Sequence, residues 1–419
     1  MRKKKKFREK QPEPSRRGRT TWWWATGLLL VAALCGYGGI HWTQQQADKA
    51  ARTANDQGEA LRAKGELEEA VRLFQKALEE RPDFAKAWSN LGVVYTMQEK
   101  FPEALDCFDK ALDVEPGLFE ARIGLAITHE KLGNFPEAET QYKRALKLRP
   151  DFAEVAYNLG WLYQQEGLLD EAATYYRRVL QLKPEFIQAM ANLGYVYHQQ
   201  EQLHEAIEVY ENAIVISPRE GPVFQRLGWS YMALGDHPKA REAYEQAMSL
   251  GIANARDFRD LGSISEQEGN LESARMYYQR AIEMDRKYGD SYYRLAALLE
   301  KLEEDDDASA LYQEAIALDP DHASAHYNLA RLYIRQSREE GHRLMQAFQD
   351  IKSYEKNLKA RKRAVSRNPR DPQAAYELGM VYFERGRFTK AREVFEKVVK
   401  LDPGFAAARE KLEQIKQVN

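Results

Sequence analysis

Residues 85–118 read AKAWSNLGVVYTMQEKFPEALDCFDKALDVEPGL, and their spacing decides the fold. Counted from Ala85, the residues Trp88, Leu91, Gly92 and Tyr95 take positions 4, 7, 8 and 11. Ala104, Phe108, Ala111 and Pro116 take positions 20, 24, 27 and 32. Apolar side chains three and four apart place one apolar face on each of two helices, and Pro116 stops the second. Outward from this stretch the pattern recurs every 34 residues, with repeats starting at Ala51, Ala85, Phe119, Ala153, Ile187, Gly221, Ala255, Gly289, Ala323 and Pro372. The ninth repeat is longer by 15 residues, so ten repeats fill 51–405 without a gap. Position 8 is glycine or alanine in all ten, and position 20 is alanine in nine. Position 24 is a ring in nine: Phe74, Phe108, Tyr142, Tyr176, Tyr210, Tyr244, Tyr278, Tyr312 and Phe395. Small against large at fixed spacing is a packing code. Each repeat leaves an apolar face that only its neighbour can cover, so the array grows in one dimension.

The series W-x-x-L-G-x-x-Y, then A, F, A and P, resembles the signature of the tetratricopeptide repeat (TPR) family, a helix–turn–helix unit. The resemblance implies an all-α fold, a right-handed superhelix of about ten repeats. Leu412 and Ile415 on one side of a charged segment make 406–419 a C-terminal capping helix. Two irregularities stand out. Repeats six and seven lack the closing proline, with Ile252 and Arg286 at that position, which fits either neutral drift or a hinge. The insertion lies within Ser337 to Arg363 and ends in Arg361, Lys362 and Arg363, which fits a lengthened helix pair or a partner-specific protrusion.

Residues 22–42, from Trp22 to Trp42, hold no Asp, Glu, Lys or Arg. At ~1.5 Å per residue they form a helix of about 31 Å, long enough to cross a hydrocarbon core. Ten basic and two acidic side chains precede it in residues 1–21. The positive-inside rule puts that segment in the cytoplasm and the repeats on the other side, periplasmic or extracytoplasmic. The expected organisation is a basic segment 1–21, a transmembrane helix 22–42, a short linker 43–50, the repeats 51–405 and the cap 406–419. A cleaved signal peptide is the competing reading, with Gly36-Tyr37-Gly38 as its weak cleavage site.

Beyond residue 42 the chain holds 52 basic and 62 acidic side chains, which excludes nucleic-acid binding on bulk charge. Two cysteines, Cys35 and Cys107, exclude a disulfide framework and a zinc ribbon. CxxC, HExxH and GxGxxG motifs are missing, the eight histidines are scattered, and the carboxylates sit as i,i+4 partners of Lys and Arg. No enzyme activity, cofactor, metal or small-molecule substrate is expected.

In the family the first helices line a concave groove, which implies that positions 2, 5, 6, 9, 12 and 13 face a ligand. Position 9 gives Trp161, Tyr195 and Trp229. Position 5 gives Tyr157, Tyr293 and Tyr327, and position 6 gives Asn90, Asn158, Asn192, Arg226 and Asn328. A primary amide offers a donor and an acceptor to the backbone of an extended peptide, and the rings add contact area at little entropic cost. The same aromatics also suit packing against the next repeat. The segment Ala87 to Gly92 and the position-6 asparagines resemble the superhelical TPR region of O-linked N-acetylglucosamine transferases, over the repeats only. The 16 residues after Pro403 hold no transferase domain, so that activity is not expected. The chain is also similar to membrane-tethered bacterial TPR scaffolds, but lacks the paired cysteines of the lipopolysaccharide assembly factor. A clamp for a chaperone's acidic tail is not formed, since Tyr157 and Pro222 stand where lysines are needed. The expected function is a membrane-anchored scaffold that binds protein or peptide segments and assists an envelope, secretion or pilus-type complex. The alternatives are a cytosol-facing docking receptor of inverted topology and a non-catalytic subunit of a glycan-modifying or polysaccharide-export system.

Overall fold

The computed structural model describes residues 44–418; the basic segment 1–21 and the apolar span 22–42 lie outside the described residues. Among the described residues there are 21 helices and no strand. The helices follow one another as the period dictates, two to a repeat. Repeat one is α1 (residues 44–63) with α2 (Leu67–Glu80), repeat two α3 (Ala85–Met97) with α4 (Phe101–Val114), and repeat three α5 (Phe119–Lys131) with α6 (Phe135–Leu148). Repeats four to six are α7 (Ala153–Glu166) with α8 (Leu169–Leu182), α9 (Ile187–Gln199) with α10 (Leu203–Ile216), and α11 (Gly221–Leu234) with α12 (His237–Ser249). Repeats seven and eight are α13 (Ala255–Gln267) with α14 (Leu271–Met284) and α15 (Gly289–Lys301) with α16 (Asp305–Leu318). Repeat nine is α17 (Ala323–Arg335) with α18 (Glu340–Arg367), repeat ten α19 (Pro372–Glu384) with α20 (Phe388–Leu401), and α21 (Ala406–Val418) follows. Residues 44–50, expected to form a linker, are the opening turns of α1. None of the described helices is long and apolar enough to cross a membrane. The chain divides into two compact bodies at Leu132 and Gly133.

The turn between the helices of each repeat rests on one residue with positive φ, at position 15 in all ten repeats. Glycine fills it six times, as in Gly167 (φ 80°) and Gly235 (φ 86°), while Glu99 (59°), Glu201 (62°), Glu303 (65°) and Ser337 (59°) fill the rest. A side chain in this left-handed region costs about 1–2 kcal/mol. Replacing Glu201 by glycine is therefore expected to raise stability by about 1 kcal/mol, measured by urea unfolding.

Packing follows the small-against-large code, and the structure shows why position 8 stays small. The position-24 ring lies directly over it within the same repeat. A Cβ at Gly194 would sit 2.5 Å from the Tyr210 ring, and one at Gly262 2.4 Å from Tyr278. Six of these rings, Tyr142 to Tyr312 at 34-residue steps, are among the largest fully buried side chains. Burying each removes a large apolar surface from water, which makes this row the spine of the core.

The irregular repeats have local explanations. Repeat six stops without proline because Gly251 turns the chain at φ 80°, after which Asn254 and Asp257 form a reciprocal capping box on α13. Ile252, in the proline's place, packs against Gly221, where a Cβ would meet its Cγ1 at 2.5 Å. The insertion lengthens the second helix of repeat nine, 28 residues in α18 against 14 in α16. Its inward side buries Ile351 and brings Leu358 and Val365 onto the core of repeat ten and α21, which includes Ile415 and Leu412.

Within the second body, repeat ten returns to repeats three and four. Arg370, in the turn before α19, donates to Glu166 Oε2 at 2.9 Å and to Glu139. Glu139 also accepts from Tyr163 at 2.8 Å and from Lys143. Burial pushes the Glu139 carboxyl up, but the hydrogen bonds from Lys143, Arg370 and Tyr163 outweigh it and hold it below the usual value. A depressed carboxylate contributes stability above its unfolded pKa and loses it as pH falls through the folded one. Arg370 itself is 41% exposed, so screening reduces its worth. Arg370→Ala is expected to cost about 1–2 kcal/mol near neutral pH and to flatten the acid limb of the stability–pH curve. Thermal melts from neutral pH into the carboxylate range check both.

Candidate peptide groove

Position 6 does two jobs. At Asn192 and Asn328 its side chain reaches the position-24 tyrosine of the preceding repeat, and the two form a clasp between neighbours. Asn192 Nδ2 lies 3.4 Å from the Tyr176 hydroxyl, which donates to Gln164 Oε1 at 2.9 Å. Asn328 Nδ2 donates to the Tyr312 hydroxyl at 3.0 Å, which donates to Glu300 Oε2 at 2.9 Å. Burial pushes both tyrosine hydroxyls far above their ordinary pKa, so they stay protonated donors. In each clasp the amide N–H faces inward and the Oδ1 acceptor makes no hydrogen bond within the scaffold.

The strip over repeats four to seven gathers most of the expected residues. Tyr157 accepts from Asn192 at 3.0 Å, and its ring sits 5.8 Å from Tyr176 and 5.3 Å from Phe186. Asn158 and Trp161 beside it are half-buried, and the scaffold gives their side chains no hydrogen bond. Arg226 donates to the Ala191 carbonyl at 2.9 Å and lies over the Tyr195 ring at 5.4 Å. Trp229 donates to Asp257 at 3.1 Å while Arg256 covers its face at 4.7 Å. Aromatic rings and guanidinium groups thus lie side by side along the first helices, the rings half-buried.

The remaining expected residues have other surroundings. Tyr293 packs between Tyr312 at 6.0 Å and His322 at 4.7 Å, two repeats beyond Trp229. Tyr327 is exposed and lies 5.1 Å from Phe348 of α18. Asn90 belongs to the first body, where it donates to Asn55 at 2.9 Å and Glu59 at 2.7 Å.

Sequence reasoning missed a buried charge network beside the strip. Asp257, 1% exposed, receives Trp229, Gln225 and the Asn254 backbone. Asp260 stands at position 6 of repeat seven, accepts from Tyr244 at 2.8 Å and lies 3.1 Å from Arg259, which reaches Asp290 at 3.2 Å. Burial pushes the Asp260 carboxyl up even though Arg259 and Tyr244 oppose it. Burial also raises Asp290, but His322 and Arg259 outweigh it and hold it low. The legible signal was an aspartate in an asparagine position, next to an arginine.

Burial pushes the Cys107 thiol up to about 12, which keeps it un-ionised near neutral pH. Among the described residues no group of three His, Cys, Asp or Glu is arranged to hold a metal ion.

Family comparison agrees with this architecture along most of the array. Descriptions of the tetratricopeptide repeat match residues 123–186, 226–292 and 355–404, and 83–151 and 186–253; a TPR repeat description matches 58–98 and 301–337. The chain is a tetratricopeptide repeat protein. TPR repeats typically mediate protein–protein interaction. No curated protein sequence matches the chain. Among solved structures it is similar to a tetratricopeptide repeat protein from Parabacteroides merdae at 19% identity, covering 60% of this chain and 99% of that one, with a TM-score of 0.43. It is also similar to Pseudomonas aeruginosa PilF at 22% identity (48% and 92% covered, TM-score 0.42). MamA from Desulfovibrio magneticus shares 26% identity (40% and 94% covered, TM-score 0.38).

Proposed function

We propose that this TPR protein is a membrane-tethered scaffold that holds extended segments of other proteins against repeats four to seven. The observation that carries the reading is the strip of half-buried rings with amide acceptors left over: Asn158, Trp161, Asn192, Tyr195 and Trp229. An extended peptide presents a backbone N–H and C=O at every residue, and these amides pair with it whatever its sequence, while the rings cover its side chains. Non-catalytic holding then assists assembly or recruitment of an envelope, secretion or pilus-type complex. The apolar run 22–42, with the basic residues before it, is the proposed anchor and places the array outside the cytoplasm.

Two experiments test this. Replacing Trp161, Tyr195 and Trp229 together by alanine is expected to weaken binding of peptides selected from a random library at least ~10-fold while far-UV circular dichroism stays unchanged. Loss of helix content would make these rings core, and unchanged affinity would move the site. A phosphatase fused after Asn419 is expected to be active, and a fluorescent fusion dark. The opposite pair would favour the cytosol-facing docking receptor.

A further inference from the structure

The outer face of α18 carries a concentrated row of basic side chains. Between Ile351 and Arg367 stand seven basic side chains and one acidic one. Lys352, Lys356, Lys359, Arg363 and Arg367 recur at spacings of four, three, four and four, which lines them along one side of a helix for about 22 Å. All five are exposed. Of them only Lys352 has a carboxylate partner, Glu355 at 2.6 Å, and Lys362 beside the row has none either. Arg361, on the flank, is turned inward to Glu377. Some exposed bases elsewhere are paired on their own helix, as in Lys110 with Asp106 and Lys416 with Glu413. The row exists because the insertion lengthened α18, and holding five like charges in register is unfavourable unless something answers them.

We infer that this row docks an acidic helix of a protein partner, at a site separate from the groove. A helix with carboxylates every third or fourth residue repeats the same spacing and matches the row in length. Two larger polyanions fit less well. No Phe, Tyr, Trp or large aliphatic side chain of α18 is exposed, so there is no broad platform for stacked bases and no wedge for a bilayer. Beyond residue 42 the chain holds 62 acidic side chains against 52 basic ones, so its bulk charge does not draw in a duplex or a membrane.

The test uses the full chain and a labelled synthetic helix bearing glutamate at every third or fourth position, with fluorescence anisotropy at ~50 and ~200 mM salt. Short duplex DNA and vesicles rich in phosphatidylglycerol are the competing probes. The expected result is saturable binding of the acidic helix that weakens with salt. It falls at least ~10-fold in Lys356→Glu/Lys359→Glu/Arg363→Glu and by an intermediate amount in the matching glutamine variant. The groove variant lacking Trp161, Tyr195 and Trp229 retains it. Circular dichroism of each variant keeps its helix content. Unchanged affinity in the reversed variant, or tighter row-dependent binding of the duplex or the vesicles than of the helix, would overturn the inference.

Discussion

Tyr210→Ala is expected to destabilise the protein by about 3–5 kcal/mol, the range for removing a fully buried ring from a close-packed core. The ring is 1% exposed, lies over Gly194 and packs among Ala206, Ala213, Val223, Leu227 and Tyr244. Backbone and ring fix each other here, so the cavity collapses only in part. A stacked array couples nearest neighbours, and the loss should be local. Hydrogen exchange is expected to accelerate across repeats four to seven, leaving repeats nine and ten near their original protection. Tyr210→Phe is the control. The Tyr210 hydroxyl joins no clasp, so its removal should cost less than ~0.5 kcal/mol, whereas Tyr312→Phe breaks the Glu300–Tyr312–Asn328 clasp and should cost about 1–2 kcal/mol.

Arg259→Met is the second large effect. Arg259 lies between Asp260, whose side chain is 6% exposed, and Asp290. Methionine keeps the bulk and removes the charge, leaving Asp260 with Tyr244 at 2.8 Å and a distant Arg256 at 3.9 Å. Breaking a buried pair in this way costs about 3–5 kcal/mol near neutral pH. The pH dependence carries the sign. Burial already pushes Asp260 up, and losing the nearest cation pushes it further. A carboxyl raised in the folded state binds its proton more tightly there, so the variant regains stability as pH falls towards the carboxylate range. Urea unfolding at several pH values is expected to show the gap to the unaltered protein narrowing on acidification.

The helical hairpins were legible because the period encodes contacts between sequence neighbours. Gly58, Gly92 and Gly194 announce a ring above them, and Pro116 or Pro150 announces a helix end. The clasps were only half legible: Asn192 and Asn328 were read as ligand-facing, while their N–H groups point back to Tyr176 and Tyr312. Position alone could not separate the two faces of one amide. The Arg370 contact with Glu166, 204 residues away in sequence, was not legible, because a 34-residue repeat reports nothing about segments brought together by curvature. Nor was the substitute for proline in repeat six, where Gly251 with a capping box replaces a familiar stop by another chemistry. The functional strip shares this limit. Trp161 and Trp229 occupy the same repeat position, yet Asp257 fixes the second indole and nothing in the scaffold holds the first by a hydrogen bond.

Site-specific photo-crosslinking of a library-selected peptide probes the central claim most directly, with the photoreactive residue placed in turn at Trp161, at Tyr195 and at Thr174 on the second helix of repeat four. Crosslinks from 161 and 195 but not from 174 are the result that a peptide-gripping groove predicts. Crosslinks from 174 alone, or equal yields from all three, would contradict it.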